Sequence, residues 1–389
     1  MRPRQEKKLR SEAEDTVRVR KAPMDLPFLL LVLLLLSVGV IMVLSASFAS
    51  AYFDLGRVTG GNPTFYFLNQ AVFAISGVLL MLVVSRFPTS FYRRIALPSM
   101  LLALGLLLLV PVIGVRGGGA QRWISLGFTT FQPSEVAKPA VVLLFAHMAC
   151  LYKDKMKTFR WGVLPFVLIL LPLAGLLLIQ PHLSATVIIL AVGAAMMFLG
   201  GTQIGWFIGG FGALAVAGTV VVSQFGHASA RIVAWRNPFD DLLGAGWQIV
   251  QSLYAIGSGG ALGLGLGQSR QKYLYLPEEH NDYIFAIVAE ELGFLGVILI
   301  LSLFALLVIR GFWIALHART KFATLIAAGM SSMLALQVFL NVGVVTNLLP
   351  STGISLPFFS YGGTALWFQL LCMGVILSVS REIPAKKAG

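Results

Sequence analysis

Charge is scarce in this sequence. Aspartate, glutamate, lysine and arginine make up 12% of its 389 residues, against about 25% in soluble globular proteins, which excludes an ordinary water-soluble fold. Cysteine is nearly missing. Cys150 and Cys372 both lie in apolar runs, so there is neither a disulfide framework nor a CxxC metal site. Histidine is sparse too, and His147, His182, His227 and His317 stand singly, without the spacing of metal ligands. What fills the chain instead is apolar: 57% of residues, with a mean hydropathy of +0.85. The net charge of +13 would point to nucleic acid in a soluble protein. Here the placement of the charges matters more than their sum, and no nucleic-acid partner is expected.

Apolar stretches long enough to cross a bilayer recur from Leu26 to the C-terminus. Ten spans are expected, at 26–50, 65–84, 97–114, 132–152, 161–179, 183–201, 205–223, 283–310, 322–348 and 359–380. The fold class is therefore all-α, a polytopic membrane protein. Residues 1–25 read as a disordered basic tail, 26–380 as a single integral membrane domain, and 381–389 as a second tail. With an inside start, one set of loops and tails carries 21 lysines and arginines, whereas the other face and the membrane interior carry 8. Basic loops are retained in the cytoplasm, so both termini are placed there. The basic excess also attracts anionic lipid of the bilayer.

One outer connection is long. It runs over about 224–282, between the seventh and eighth spans, and holds Trp235, Trp247 and Tyr254 beside nine glycines. Its aromatic, semi-apolar character argues for short amphipathic and re-entrant pieces folded on the outer mouth of the bundle. Within it, Ser258 to Gly267 has a glycine spacing that sometimes cradles phosphate. It lacks a GK[ST] ending and the flanking strand and helix, which favours a closely packed or flexible turn.

Two polar clusters stand out against this background. The first, Glu278, Glu279, His280, Asn281 and Asp282, leads straight into the eighth span. Asn281 and Asp282 suit a helix N-cap, but capping needs one such residue rather than several. Glu290 and Glu291 follow inside the span, where ionisable groups are costly and face a cavity or a partner. On a regular helix Glu290 lies roughly 80° around from Asp282, and Glu291 points to the opposite side. The second cluster comprises Arg116, Arg122 and Trp123, then Gln132, Pro133, Ser134, Glu135 and Lys138 at the start of the fourth span. Glu135 and Lys138 have i, i+3 spacing, and a buried ammonium asks for an anion, which Glu135 or a lipid diphosphate could supply.

Further segments carry a resemblance: Asn237-Pro238-Phe239-Asp240, Gln251 to Gly257, Gly265 to Lys272, Leu276-Pro277-Glu278, Asp282 to Ala286, Glu290 to Gly293, and Leu356 to Gly363. With Arg122-Trp123-Ile124 and Gln132 to Lys138, and in this order, they resemble the SEDS family (shape, elongation, division and sporulation) of bacterial cell-wall polymerases. Gln268 to Lys272 looks like the FtsW and SpoVE branch. The resemblance implies a peptidoglycan glycosyltransferase that polymerises lipid II into glycan strands on the outer face of the cytoplasmic membrane, in division or sporulation. Asp282 then matches the family's essential aspartate and is expected to act as general base. Lys138, Arg122, Glu135, Glu278, His280 and Glu290 are expected around the substrate. A divalent cation, Mg or Mn, could share the diphosphate charge with Asp282 and Glu278 as ligands, although the metal site is unknown. A class B penicillin-binding transpeptidase is the expected partner, alongside other division or sporulation membrane proteins.

Three positions depart from the family's pattern. His182 replaces the usual acid in Gln180-Pro181-His182-Leu183, Asn281 replaces threonine, and Ser360-Tyr361-Gly362-Gly363-Thr364-Ala365 replaces a pair of serines. Two rival functions remain open on the residues. Ten spans, kinking prolines such as Pro165 and Pro172, and a buried Glu290 fit a lipid II flippase or secondary transporter. The semi-apolar loop and basic tail fit a non-catalytic division scaffold.

Overall fold

A computed structural model describes residues 23–54, 58–117, 120–125, 127, 129–210, 212, 233–242, 244 and 246–383. Of the basic tail expected over 1–25, residues 1–22 lie outside the described residues, as do the last six residues, 384–389, and 224–232 of the outer loop. Among the described residues, nine helices are long and apolar enough to cross a membrane. The expected seventh span, 205–223, is helical over 204–210 and at 212 and otherwise lies outside the described residues.

The spanning helices are α1 (Leu26–Phe53), α2 (Phe65–Val84), α3 (Thr89–Ile113), α4 (Pro133–Tyr152), α5 (Leu164–Ile179) and α6 (Leu183–Gly200). An amphipathic helix, α7 (Trp247–Ser258), precedes α8 (Ile284–Leu316), α9 (Lys321–Val345) and α10 (Gly363–Arg381). Their starts follow local chemistry. Asp25 accepts from the Phe28 amide at 2.9 Å to open α1 and also holds the Arg310 guanidinium at 2.8 Å. Helix α3 begins eight residues before the apolar run that marked it at 97, because Glu382 receives the Thr89 amide at 2.8 Å and its hydroxyl at 2.6 Å. Hydropathy marks the lipid-facing middle of a helix, and a cap contributed from another helix is invisible to it.

Helix α4 lies at the centre, nearly every residue from Pro133 to Met148 buried, packed against α3, α6 and α9. Helices α2 and α10 pack together on one side and α1 lies along α8. The backbones approach closely where Gly39 of α1 meets the Leu356 to Gly363 segment: a Cβ there would stand 2.3 Å from the Phe358 carbonyl oxygen. One small sheet departs from the all-α expectation. Strands Val115–Gly117, Ala120–Ser125 and Thr130–Phe131 pair antiparallel in chain order, with Val115 opposite Trp123 and Ile124 opposite Phe131.

The eighth span, expected as continuous, is broken at Gly293, which has φ +65° and ψ −171°. Leaving helical geometry at membrane depth strands backbone groups that lipid cannot satisfy. The glycine-rich stretch supplies what is missing. The amides of Leu264 and Gly265 donate to the carbonyls of Glu290 and Glu291 at 3.0 Å each, and the amides of Phe294 and Leu295 donate to the carbonyls of Gly260 and Ala261 at 2.9 and 3.1 Å. A Cβ on Gly293 would meet the Gly263 nitrogen at 2.2 Å, so only glycine fits both sides of this contact. The Ser258 to Gly267 segment is thus a closely packed patch over a helix break.

Side chains lock the same patch. Glu291 receives Lys272 Nζ at 3.0 Å and the Ser45 hydroxyl of α1 at 2.6 Å, and both partners of the ion pair are almost fully buried. Glu290 accepts from the Ser269 hydroxyl at 2.5 Å, the Arg270 amide at 3.0 Å and the Ser258 hydroxyl at 3.2 Å. Removing one member of a buried pair leaves an uncompensated charge and costs about 3–5 kcal/mol, whereas removing both costs much less. Lys272→Met is therefore expected to lower the unfolding temperature in detergent more than Lys272→Met with Glu291→Gln. A double variant less stable than the single one would show that this pair does not govern the junction.

Candidate active site

A cavity of about 590 Å³ opens where α4, α6 and the start of α8 converge with the strand hairpin and the segment after α9. Arg122, Glu135, Lys138, Glu278 and Asp282 all stand on its wall. Residues from the two polar clusters, far apart in sequence, thus share one chamber.

Asp282 lies half-buried just before α8. Its backbone is fixed from beneath: Asn341 Nδ2, fully buried in α9, donates to the Asp282 carbonyl at 2.8 Å and to the Ile354 carbonyl at 2.6 Å. The neighbouring residues are tied to the Leu356 to Gly363 segment. The Ser360 hydroxyl donates to the Asn281 carbonyl at 2.8 Å and receives the Leu356 amide at 2.7 Å, and the Tyr361 amide donates to the His280 carbonyl at 2.9 Å. Gln70 of α2 closes the lacing, donating to the Ser360 carbonyl at 3.2 Å and accepting from the Gly362 amide at 3.3 Å. Gly353, in the left-handed region at φ +71°, lies against the carboxylate, and a Cβ there would come 3.1 Å from Asp282 Oδ2. Desolvation pushes the Asp282 carboxyl up to about 6; the nearby Glu278 charge raises it further and Arg122 opposes both.

Two cationic side chains line the same cavity. Lys138 Nζ is held by Glu135 Oε2 at 2.7 Å, so this buried ammonium already has its counter-charge. Arg122 is brought in by the middle strand and donates through Nη2 to the Pro181 carbonyl, next to the N-terminus of α6. His182 is the N-cap residue of α6, yet its side chain makes no capping bond, and Leu183, Ser184 and Ala185 of the first turn line the cavity. First-turn amides of a helix attract anions. Burial, then the charges of Arg122 and Lys138, push the His182 imidazole down to about 3, so it is neutral at physiological pH and Nε2 meets Gln132 Nε2 at 3.2 Å.

Two expected site residues, Glu290 and His280, lie away from the cavity, and Glu278 stands at its edge. Glu290 does not reach the cavity, because its carboxylate is consumed by the serines and amides of the helix-break patch. The regular-helix rotation that related it to Asp282 also placed Glu291 on the far side, whereas both carboxylates bind the same 258–272 loop. His280 packs outside the cavity wall: its ring lies 4.5 Å from Tyr66 and 5.9 Å from Tyr361, and Nδ1 is 3.4 Å from Glu279. Glu278 is exposed at the rim with φ +56° and receives Asn281 Nδ2 at 2.6 Å. The positioning groups Asn341 and Gln70 were not singled out by sequence reasoning, although an asparagine inside an apolar span is a signal that marks Asn341.

Comparison with known proteins places this architecture. The family described as "Cell cycle protein" (FTSW_RODA_SPOVE) matches residues 25–384. A probable peptidoglycan glycosyltransferase FtsW of Trichlorobacter lovleyi is 40% identical over 364 residues, covering 93% of this chain and 94% of that protein. Stage V sporulation protein E of Bacillus subtilis is 40% identical over 367 residues, covering 93% and 98%. Among solved structures, a chain from a study of polymerization and crosslinking by a peptidoglycan synthase complex superposes with a TM-score of 0.75 at 30% identity, covering 92% of this chain and 98% of its own. The rod shape determining protein RodA of Thermus thermophilus superposes with a TM-score of 0.68 at 28% identity, covering 93% and 98%. Matched along nearly its whole length in sequence and in fold, the chain is a multi-pass membrane protein that belongs to the FtsW/RodA/SpoVE family of cell cycle proteins.

Proposed function

We propose that the protein is a peptidoglycan glycosyltransferase that polymerises lipid II, with Asp282 as general base. One observation carries the reading: a single cavity sets a desolvated carboxylate, Asp282, across from Arg122 and the first turn of α6. The names of the relatives supply the substrate class. In the reaction an acceptor sugar hydroxyl attacks the anomeric carbon of a diphosphate-linked donor, the carbon–oxygen bond to the diphosphate breaks, and the hydroxyl proton passes to Asp282. Undecaprenyl diphosphate leaves with the bonding electron pair, and its charge is met by Arg122 and the α6 amides. Lys138, neutralised by Glu135, shapes this wall more than it charges it.

A carboxyl near 6 suits this work, being a stronger base than ordinary aspartate yet ionised at neutral pH. The described residues do not form a resident cage for Mg or Mn. Of the three carboxylates that line the cavity, Glu135 is paired with Lys138, which leaves Asp282 and Glu278; no group of three or more suitable ligands occurs among the described residues, and the Arg122 charge acts on Asp282. No step is therefore routed through a cation, and one arriving on the substrate diphosphate would be substrate-borne.

The basic excess supports a cytoplasmic position for both termini and, with it, a cavity at the outer face of the cytoplasmic membrane. A peptidoglycan synthase complex among the structural neighbours supports a partner that cross-links the strands, a class B penicillin-binding transpeptidase. A transporter has less support, because Glu290, the acid that would mark a path through the membrane, is closed into the helix-break patch.

Two outcomes test the reading. Purified protein with its transpeptidase should convert lipid II to glycan strands, and Asp282→Asn should lower the rate by about 10² to 10⁴ with an unchanged unfolding temperature. Wild-type turnover in that variant would sink the base assignment. The second test is the pH profile. Because the base must be ionised, kcat/KM should fall about tenfold per unit once pH drops below the Asp282 value of about 6. Glu278→Gln removes a repulsion that raises this value, so the acid limb should move to lower pH; a shift upward would contradict the electrostatic account.

A further inference from the structure

At the end of α4 remote from the cavity, the chain makes a basic turn. Lys153, Lys155, Lys157 and Arg160 stand there against a single carboxylate, Asp154. Helix α4 has 20 residues and so spans about 30 Å, which sets this turn at the other membrane face from Glu135 and Lys138.

The turn is held rigidly by contacts that spare its charges. Lys153–Lys157 forms a 3-10 turn, entered through Lys153 at φ +47°. Met156 alone points inward, fully buried, and Gly162 packs so closely on it that a Cβ would overlap the Met156 carbonyl. Thr202 donates to the Gly162 carbonyl at 3.0 Å and Trp206 Nε1 to the Lys157 carbonyl at 3.4 Å, tying the turn to the segment after α6. The four cations remain exposed, and none is ion-paired among the described residues.

Aromatic and apolar groups adjoin them. Lys155 Nζ lies 5.3 Å and the Arg160 guanidinium 5.9 Å from the Trp161 ring, whose centroid is 5.2 Å from that of Tyr152. Leu151, Phe159 and Trp161 are exposed beside the charges. Between them is a cavity of about 470 Å³, lined by Leu151, Tyr152, Lys153, Asp154, Lys155 and Trp161. Lysines over an apolar and aromatic floor, at the end of a spanning helix, match a ligand with a phosphodiester charge and an acyl chain. A solvated charge run would need neither the concavity nor the fixed turn.

We propose that this pocket binds the phosphodiester headgroup of an anionic phospholipid, with Lys153 and Lys155 on the phosphate and Leu151 and Trp161 against the upper acyl chain. The site is separate from the catalytic cavity and does not depend on the chemistry assigned there.

Delipidated protein in neutral detergent tests this by native mass spectrometry and thermal unfolding with phosphatidylglycerol, phosphatidylcholine or inorganic phosphate added. Phosphatidylglycerol should be retained and should raise the unfolding temperature, while phosphatidylcholine and phosphate should do neither. The Lys153→Gln, Lys155→Gln, Lys157→Gln variant should retain at least about fivefold less phosphatidylglycerol, yet polymerise lipid II at the wild-type rate. Wild-type retention should itself fall on raising salt to about 0.5 M, a measurement that needs no variant. Equal retention of the two lipids, salt-independent retention, or undiminished binding by the triple variant would overturn the proposal. Stabilisation by phosphate equal to that by phosphatidylglycerol would overturn the lipid as the ligand.

Discussion

A backbone that departs from helical geometry inside a bilayer must find every hydrogen bond within the protein. That constraint governs this fold, because the chain breaks a membrane helix at Gly293 just beyond the acidic segment that reaches the cavity. Four hydrogen bonds from the glycine-rich loop repair the break, and two buried glutamates brace the loop from below. The glycines of Ser258 to Gly267 are needed because two backbones meet there at a separation that leaves no room for a Cβ. With the loop so anchored, the segment from Gly267 to Asp282 can run to the cavity as a chain of turns without regular structure of its own.

The same economy holds Asp282. No helix or strand contains it, so its position comes from carbonyl groups gripped by side chains: Asn341 on residue 282 and Ser360 on residue 281. The grips originate in α9 and in the segment before α10, while Gln70 reaches that segment from α2. A side chain supported by several rigid elements would keep its geometry as substrate enters, which the proposed role of Asp282 requires, since holding reactants in register is a large part of lowering a barrier. Removing Asn341 would leave two carbonyls buried without this donor, in a region where water cannot replace it freely.

The helices were legible because bilayer thickness sets their length and composition, and the cavity's acid and base clusters were legible because ionisable groups are rare in such a chain. What failed was inference by helical rotation. A regular 100° step set Glu290 roughly 80° from Asp282 and Glu291 opposite it, but the loop that docks on α8 takes both carboxylates, serving Glu291 through the Ser269 amide and Lys272 and Glu290 through the Ser269 hydroxyl and Arg270 amide. Local periodicity carries no information about a partner that arrives from outside the helix. His182 was equally opaque. In sequence it stands as an isolated histidine in place of the family's acid, and only in space does it appear as a neutral residue beside Arg122, at a helix end whose first-turn residues line the cavity.

The electrostatics of the cavity follow from how its charges are matched. Lys138 and Glu135 cancel each other within 2.7 Å, which lets a buried ammonium exist without imposing a net charge on the wall. His182 is kept neutral by burial and by its cationic neighbours, so it adds no charge either. The remaining imbalance is between Asp282 and Glu278 on one side and Arg122 with the α6 amides on the other. In the cavity the Glu278 charge raises the proton affinity of Asp282 and Arg122 partly offsets it. A diphosphate donor placed against Arg122 would draw that relief away from Asp282, which raises the carboxylate's proton affinity at the moment an acceptor hydroxyl must be deprotonated. Under the proposed assignment, binding of the donor and strength of the base would be coupled through Arg122, whose charge would serve both halves of the reaction from one position.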